Sequence, residues 1–228
     1  MAFRKKAEHV LAYRPDIVVV PECECPEKLI FRADIPVPTD ILWFGNNKHK
    51  GLAILSYSHF KFKVLDCHNE ALKTIIPIAV TGGDYDFNLF AIWAHNPNDP
   101  DGRYVEQIWK AIHHYDDLLT STPGMLIGDF NSNTIWDRKR RLSNHSNVVT
   151  YLRERNIHSA YHSHHQQEQG KEQHPTFYLY RKRLKPYHLD YCFLSSAMTK
   201  QIQSVEVGDY DFWTKHSDHV PLIVTLEP

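Results

Sequence analysis

Acidic, amide and imidazole side chains recur in this chain where apolar runs stop. Glu22 follows Ile17-Val18-Val19-Val20-Pro21, His95-Asn96-Pro97-Asn98 follows Phe90-Ala91-Ile92-Trp93-Ala94, and Asp129-Phe130-Asn131 follows Met125-Leu126-Ile127-Gly128. Asp190 lies inside Leu189-Asp190-Tyr191-Cys192-Phe193, and His216-Ser217-Asp218-His219 precedes the strand-like Val220 to Leu226. Loop residues at strand ends are where chemistry is usually placed. If these ends converge, they make a pocket of carboxylates, amides and imidazoles with almost no thiol, a set that suits Mg²⁺ or Mn²⁺. Each element alone also has an ordinary structural explanation. Asp and Asn are common turn formers, Glu22 is in keeping with a solvated loop charge, and a buried Asp190 has to be satisfied by some hydrogen bond in any case.

The elements that would carry these groups can be read from hydrophobic periodicity. Phe3 to Arg14 has Phe3, Ala7, Val10 and Leu11 at helical spacing and stops at Pro15, which predicts an amphipathic helix. Ile17 to Val20 is a β-branched run of the kind buried on both faces of a sheet. Further strands are predicted at Ile41 to Phe44, Gly51 to Tyr57, Thr74 to Ala79, Asn88 to Ala94, Thr176 to Tyr180, Leu189 to Leu194 and Pro221 to Leu226. Helices are predicted at Tyr104 to Leu119 and around Asn147 to Arg155. His162 to His174, with His158 nearby, has the composition of a mobile polar surface loop. Strands and helices interspersed in this way predict a mixed sheet core covered by helices.

Composition narrows the function classes. Lys and Arg total 26 against 27 Asp and Glu, so there is no global basic excess, and a polyanion site must be local. No apolar run approaches the roughly 18 residues of a membrane span, and the start, MAFRKKAEHV, lacks the apolar stretch of a secretion signal, so the chain reads as cytoplasmic. Four cysteines in a chain large enough to build a core are expected to be reduced thiols. Cys23-Glu24-Cys25 lacks the paired spacing of a structural zinc site.

Taken together and in order, VPE (20–22), GLAILS (51–56), HNPN (95–98), GDFN (128–131), PTF (175–177), LDYCFLS (189–195) and SDHVPL (217–222) resemble the endonuclease/exonuclease/phosphatase superfamily. GDFN and SDH are the most specific pieces, and the resemblance spans residue 17 to the C-terminus. It implies a four-layered α/β sandwich, two mixed β-sheets packed face to face with helices outside, and divalent-metal-dependent phosphoester hydrolysis with Mg²⁺ or Mn²⁺. Glu22 then stands where the family holds its metal ion, with Asp218 as an auxiliary metal or water ligand. Asp129 and Asn131 stand where the water and phosphate are positioned, Asp190 and His219 as the acid-histidine pair, and His95 and Asn98 in the loop between. The physical logic agrees: a carboxylate can take the water's proton, an amide can orient phosphate without adding negative charge, and a histidine kept charged by an acid can meet the phosphate. Whether Asp129 or His219 is the base is left open by the sequence.

The resemblance also implies an earlier strand bearing an asparagine that shares the metal site. Residues 1–228 begin at the next helix, so the expectation is one domain without that strand, with a displaced start the favoured cause because an inner strand leaves unpaired backbone behind when lost. Arg181-Lys182-Arg183-Leu184-Lys185, flanked by Tyr178, Tyr180 and Tyr187, reads either as a solvated hairpin or as a patch that tracks a nucleic-acid backbone and stacks a base, which makes Arg181, Arg183 and Tyr187 candidate substrate contacts. The favoured activity is hydrolysis of nucleic acid, DNA before RNA. Hydrolysis of a small phosphorylated metabolite or lipid head group, and non-catalytic binding of nucleic acid, are the rivals.

Overall fold

The computed structural model describes residues 2–72, 74–95 and 102–227. Asn96, Pro97 and Asn98 of the HNPN motif lie outside the described residues. The strands are β1 (Ile17–Cys23), β2 (Asp40–Asn47), β3 (Lys50–Ser56), β4 (Lys61–Val64), β5 (Ile75–Thr81), β6 (Phe87–Trp93), β7 (Gly124–Asp129), β8 (Ile157–Ser159), β9 (Phe177–Tyr178), β10 (Pro186–Tyr187), β11 (Asp190–Ser195), β12 (Ile202–Val207) and β13 (Leu222–Leu226). The helices are α1 (Ala7–Leu11), α2 (Val105–His114), α3 (Asp116–Ser121), α4 (His145–Glu154), α5 (Ala160–His165), α6 (Ser196–Thr199) and α7 (Tyr210–Trp213).

Six strands form the larger sheet in the order β4-β5-β6-β7-β11-β8. Its one parallel pair is β6 with β7, joined through α2 and α3, because a parallel neighbour needs a long crossover whereas turns deliver antiparallel ones. The facing layer is antiparallel: β1-β3-β2 on one side and the β12-β13 pair on the other. The sandwich is therefore as expected, with the mixed pairing confined to the larger sheet.

Strand alternation explains why the inner strands β3 and β6 run apolar at consecutive positions, as in Leu52–Leu55 and Leu89–Trp93. Leu52 and Ile54 of β3 face the larger sheet, where they meet Ile76, Ile78, Leu89, Ala91 and Leu194. Ala53 and Leu55 point the other way, onto Phe3, Ala7 and Val20. On the far face of the larger sheet, Phe90, Ile92 and Leu126 pack under Ile108, Ile112, Leu119 and Leu152 of α2, α3 and α4. Four layers result, and each fully buried aliphatic or aromatic side chain adds about 1.5–3 kcal/mol.

Three sequence expectations change. The helix predicted over Phe3 to Arg14 is a 3₁₀ turn, Phe3–Lys5, followed by the short α1, with Lys6 out of helical geometry between them at φ −122°. The helix predicted over Tyr104 to Leu119 breaks at Tyr115 into α2 and α3. The histidine-rich stretch is not a surface loop at its start: α5 packs against β11 and β12, Tyr161 is fully buried, and the His162 side chain is 10% exposed. A buried carboxylate partner, Glu172, is what makes that burial tolerable. No helix among the described residues is long and apolar enough to cross a membrane.

Candidate active site

The larger sheet's register fixes the centre of the site. Asp129, last residue of β7, is paired across the ladder with Asp190, first residue of β11, and on its other side with Trp93, last residue of β6. Three sequence-distant strand ends thus meet at one edge. Past Asp129 the strand stops. Phe130 turns fully into the core, and Asn131 takes a left-handed φ of 45°, so its side chain returns to the site by a turn rather than by strand alternation.

Asn131 secures the carboxylate beside it. Its backbone N–H donates to Asp129 Oδ1 at 2.8 Å, and its Nδ2 donates to Asp129 Oδ2 at 2.8 Å and to the Ala94 carbonyl at 2.9 Å. Both amide hydrogens therefore serve the scaffold, which leaves the side-chain oxygen as the group free to face a ligand. His219 Nδ1 donates to Asp190 Oδ2 at 2.8 Å, and the His219 ring packs on Phe177 with centroids 4.7 Å apart.

These groups shift one another's protonation. Burial, and then the Asp190 charge, push the Asp129 carboxyl upward. Burial alone would lower the His219 imidazole, but the charge and hydrogen bond of Asp190 outweigh it and raise it to about 10. At neutral pH His219 is an imidazolium held by a carboxylate, and Asp129 is an acid for which ionisation is made costly by its neighbours.

Glu22 reaches this edge from the facing sheet. Between Val20 and Cys23, β1 carries one residue more than β3 opposite it, a bulge that re-aims a side chain, and Glu22 has φ 59°. Its half-exposed carboxylate is 2.8 Å from the ammonium of Lys50. Lys50 Nζ in turn lies 5.4 Å from the Trp93 ring, against which His95 packs at 4.0 Å. The Glu22 charge is felt at Asp129. Asp218 is exposed next to His219.

The donor set has the chemistry of a hard-cation site, since carboxylate oxygens are at hand and the Cys23 and Cys25 thiols are buried. Among the described residues no three acidic, histidine or cysteine side chains are grouped so as to hold a metal ion by themselves. Mg²⁺ commonly keeps several waters and takes only one or two protein carboxylates plus substrate oxygens, a demand that the half-exposed Glu22 carboxylate meets by type without a closed cage.

Several supporting residues carried no assigned role in the sequence. Thr176, the middle of the PTF motif and fully buried, accepts through Oγ1 from the N–H of Leu189 at 2.9 Å and of Asp190 at 3.0 Å. Its backbone binds Tyr187 and Val220, so one residue ties β10, the start of β11 and the His219 loop together. Lys50 gave no sequence signal. Glu24, buried, accepts from the Phe3 and Arg4 N–H groups and from the Arg4 guanidinium, which clamps the N-terminal turn to the end of β1.

Behind the site, Asn133 Nδ2 donates to the His188 carbonyl, the Tyr191 hydroxyl and Glu172. Burial pushes Glu172 upward, yet bonds from His162, Gly170 and Asn133 hold it at about 2. His145, 1% exposed and paired with Ser132 Oγ, is lowered to about 4 by burial. A histidine with a depressed folded value stabilises the fold fully above its ordinary value of 6.5 and loses that contribution as pH falls toward about 4. His145 should therefore add no slope to the urea midpoint above pH 6.5 and a fall below it, with on the order of 3 kcal/mol at stake. Urea titrations of wild type and His145→Gln between pH 7 and 4 check this, since the variant should lose most of that slope.

The candidate substrate contacts divide. Tyr187 lies beside the site, stacked with Phe177 at 6.3 Å and packed on exposed Trp136 at 5.1 Å. Arg181 is exposed in the β9–β10 hairpin. Arg183 is turned to α7, 2.5 Å from Asp211 and 4.4 Å from the Tyr210 ring, so much of its charge is already answered.

A model of the Endonuclease/Exonuclease/phosphatase family matches residues 7–219. No curated protein sequence matches the chain. Among solved structures, similarity extends to a 3′-5′ exonuclease (NExo) from Neisseria meningitidis, at 18% identity and TM-score 0.63 over 99% of this chain and 94% of the other. An AP endonuclease from Archaeoglobus fulgidus matches at 16% identity and TM-score 0.66, over 100% and 96%. A structure of 3′ phosphatase NExo from Neisseria bound to product DNA hairpin matches at 17% identity and TM-score 0.62, over 99% and 94%. At these identities the likeness is one of fold.

Proposed function

The chain belongs to the Endonuclease/Exonuclease/phosphatase family, and we propose that it is a divalent-metal-dependent phosphodiesterase acting on nucleic acid, DNA in the first instance. The observation that carries this reading is the Asp190–His219 pair set directly across the strand ladder from Asp129. His219, protonated because Asp190 holds it, places a positive charge on a phosphoryl oxygen and is in the wrong state to accept a proton. Asp129, in the fraction that ionises against the burial and Asp190 charge that push its carboxyl upward, takes the proton of the attacking water, so the rate should climb with pH through neutrality. Asn131 keeps that carboxylate aimed and offers its own carbonyl oxygen to the water. Mg²⁺ or Mn²⁺ at Glu22, with Asp218 beside it, would supply further neutralisation of the phosphoryl charge.

Support for a nucleic-acid substrate comes from the aromatic and basic surface next to this centre. Tyr187 with Trp136, and exposed Tyr180 beside Arg181, offer flat faces and positive charge to bases and backbone. A relative in fold was solved with a product DNA hairpin. Purified protein assayed on duplex DNA, single-stranded DNA, RNA and inositol phosphates should cleave DNA with Mg²⁺ or Mn²⁺ and lose at least tenfold in EDTA. Turnover confined to inositol phosphates would replace the nuclease reading with the small-phosphoester one. DNA binding without cleavage in either metal would favour a non-catalytic module.

A further inference from the structure

Glu22 and Glu24 stand two residues apart at the end of β1 and are held in opposite ways. Glu24 is buried and accepts from the Phe3 and Arg4 N–H groups and from the Arg4 guanidinium. Glu22 is half-exposed, and among the described residues its carboxylate is met by one group, the Lys50 ammonium at 2.8 Å. The first acid belongs to the scaffold. The second is held by a single flexible side chain, in an exposed ion pair of the kind that contributes little to folding and is easily exchanged.

The surroundings of the pair suit exchange. It borders an open cavity of about 380 Å³, lined also by Arg4, Glu24, Asn47 and His49, so a cation from solvent reaches Glu22 without any strand moving. The root of Lys50 is fixed where the β2–β3 hairpin closes: Lys50 pairs with Asn47, and Gly51 pairs with Cys23 at the bulge that aims Glu22. Its ammonium has a second partner at hand, since Lys50 Nζ lies 5.4 Å from the centre of the Trp93 ring, inside the range of a cation–π contact. Trp93 is the ladder neighbour of Asp129. An ammonium displaced from Glu22 can therefore withdraw to Trp93 and stay at the same sheet edge.

We infer that Lys50 is the resident counter-ion of Glu22 and competes with the divalent cation for it, so that metal affinity is set by a side chain that is not itself a metal ligand. The inference rests on the divalent-metal part of the reading above, but its test needs no turnover. Mn²⁺ is the probe, titrated without phosphoester and followed by electron paramagnetic resonance, into wild type, Lys50→Met, Lys50→Arg and Lys48→Met. Loss of the ion pair and of its repulsion toward a dication corresponds to about threefold to tenfold tighter Mn²⁺ binding in Lys50→Met. Lys50→Arg should stay near wild type. Lys48→Met should do so too, because it removes the same charge from the same hairpin without touching the Glu22 pair. In a Glu22→Gln background Mn²⁺ should bind more weakly, and adding Lys50→Met should change nothing further, since such a cycle isolates the coupling of the two residues. Both lysines are exposed, so far-ultraviolet circular dichroism should match across the set. Equal Mn²⁺ affinity in wild type and Lys50→Met, or no binding by either, overturns the inference, as does a gain in Lys48→Met equal to that in Lys50→Met or Mn²⁺ binding indifferent to Glu22→Gln. Phosphoester cleavage by a chain whose Mn²⁺ affinity ignores Lys50 would sink this inference and leave the hydrolase reading standing. The Lys50 effect without any cleavage would do the reverse.

Discussion

Phosphodiester turnover by His219→Ala is expected to fall by roughly 10²–10⁴-fold, with a thermal midpoint lowered by the loss of Asp190's cationic partner but still above the assay temperature. The side chain is about one-third exposed, and its removal opens no core cavity, so the loss falls on the chemistry. Asp129→Ala should show a loss of the same order, because it removes the carboxylate paired across the ladder with Asp190, the partner of His219. The two effects are not additive if the groups act on one transition state: the double variant should be little worse than either single one. Steady-state kinetics on the best DNA substrate, with calorimetric melting of each protein, provide the comparison. Wild-type rates in both single variants would show that the centre lies elsewhere.

Gly128→Ala should be strongly destabilising, although it removes no reactive group and adds a single methyl group. Gly128 has φ 140° and is paired with Ile92. A Cβ there would sit 1.9 Å from the Ile92 carbonyl oxygen, an atom of the neighbouring strand that cannot swing aside as a flexible side chain would. Both the backbone conformation and the contact have to be relieved, which costs about 3 kcal/mol or more and, for a chain of this length, about 10 °C in melting temperature. The adjustment pushes β7 away from β6 immediately before Asp129, so activity should fall as well. Differential scanning calorimetry of Gly128→Ala against wild type tests the claim, and an unchanged melting temperature would refute it.

The contrast between these substitutions shows how far the sequence could be read. Strand ends were legible because an apolar run halted by Asp, Asn or His is a local pattern, and the order of such patterns carried the fold and most of the centre. Glu22 was legible as a residue type at a strand end. Its bulge and its bond to Lys50 depend on a register with β3 that no local pattern encodes. Asn131 was legible as a residue type beside Asp129, but the left-handed turn that returns its side chain to the site, after the strand has ended, was not. The histidine-rich stretch was misread because composition cannot reveal a buried acid such as Glu172 ten residues away. Short elements such as β4, Lys-Phe-Lys-Val, carry alternation too brief to stand out from a polar loop. Arg183 looked available from its neighbours in sequence, whereas Asp211, 28 positions on, already holds it.

The anchoring by Thr176 bears on how such a chain can diversify. The hairpin between Phe177 and Tyr187 is closed by its own bonds, Thr176 N–H to the Tyr187 carbonyl and Leu179 N–H to the Lys185 carbonyl, each at 3.0 Å. Asp190 is fixed from below by the Thr176 hydroxyl, not by anything at the hairpin's tip. Residues 180–184 can therefore be lengthened, shortened or recharged while the reacting groups keep their places. If the proposed function holds, preference for one polymer over another and the power to break its bonds rest on different residues, and a laboratory library confined to those five positions explores the first while leaving the second in place.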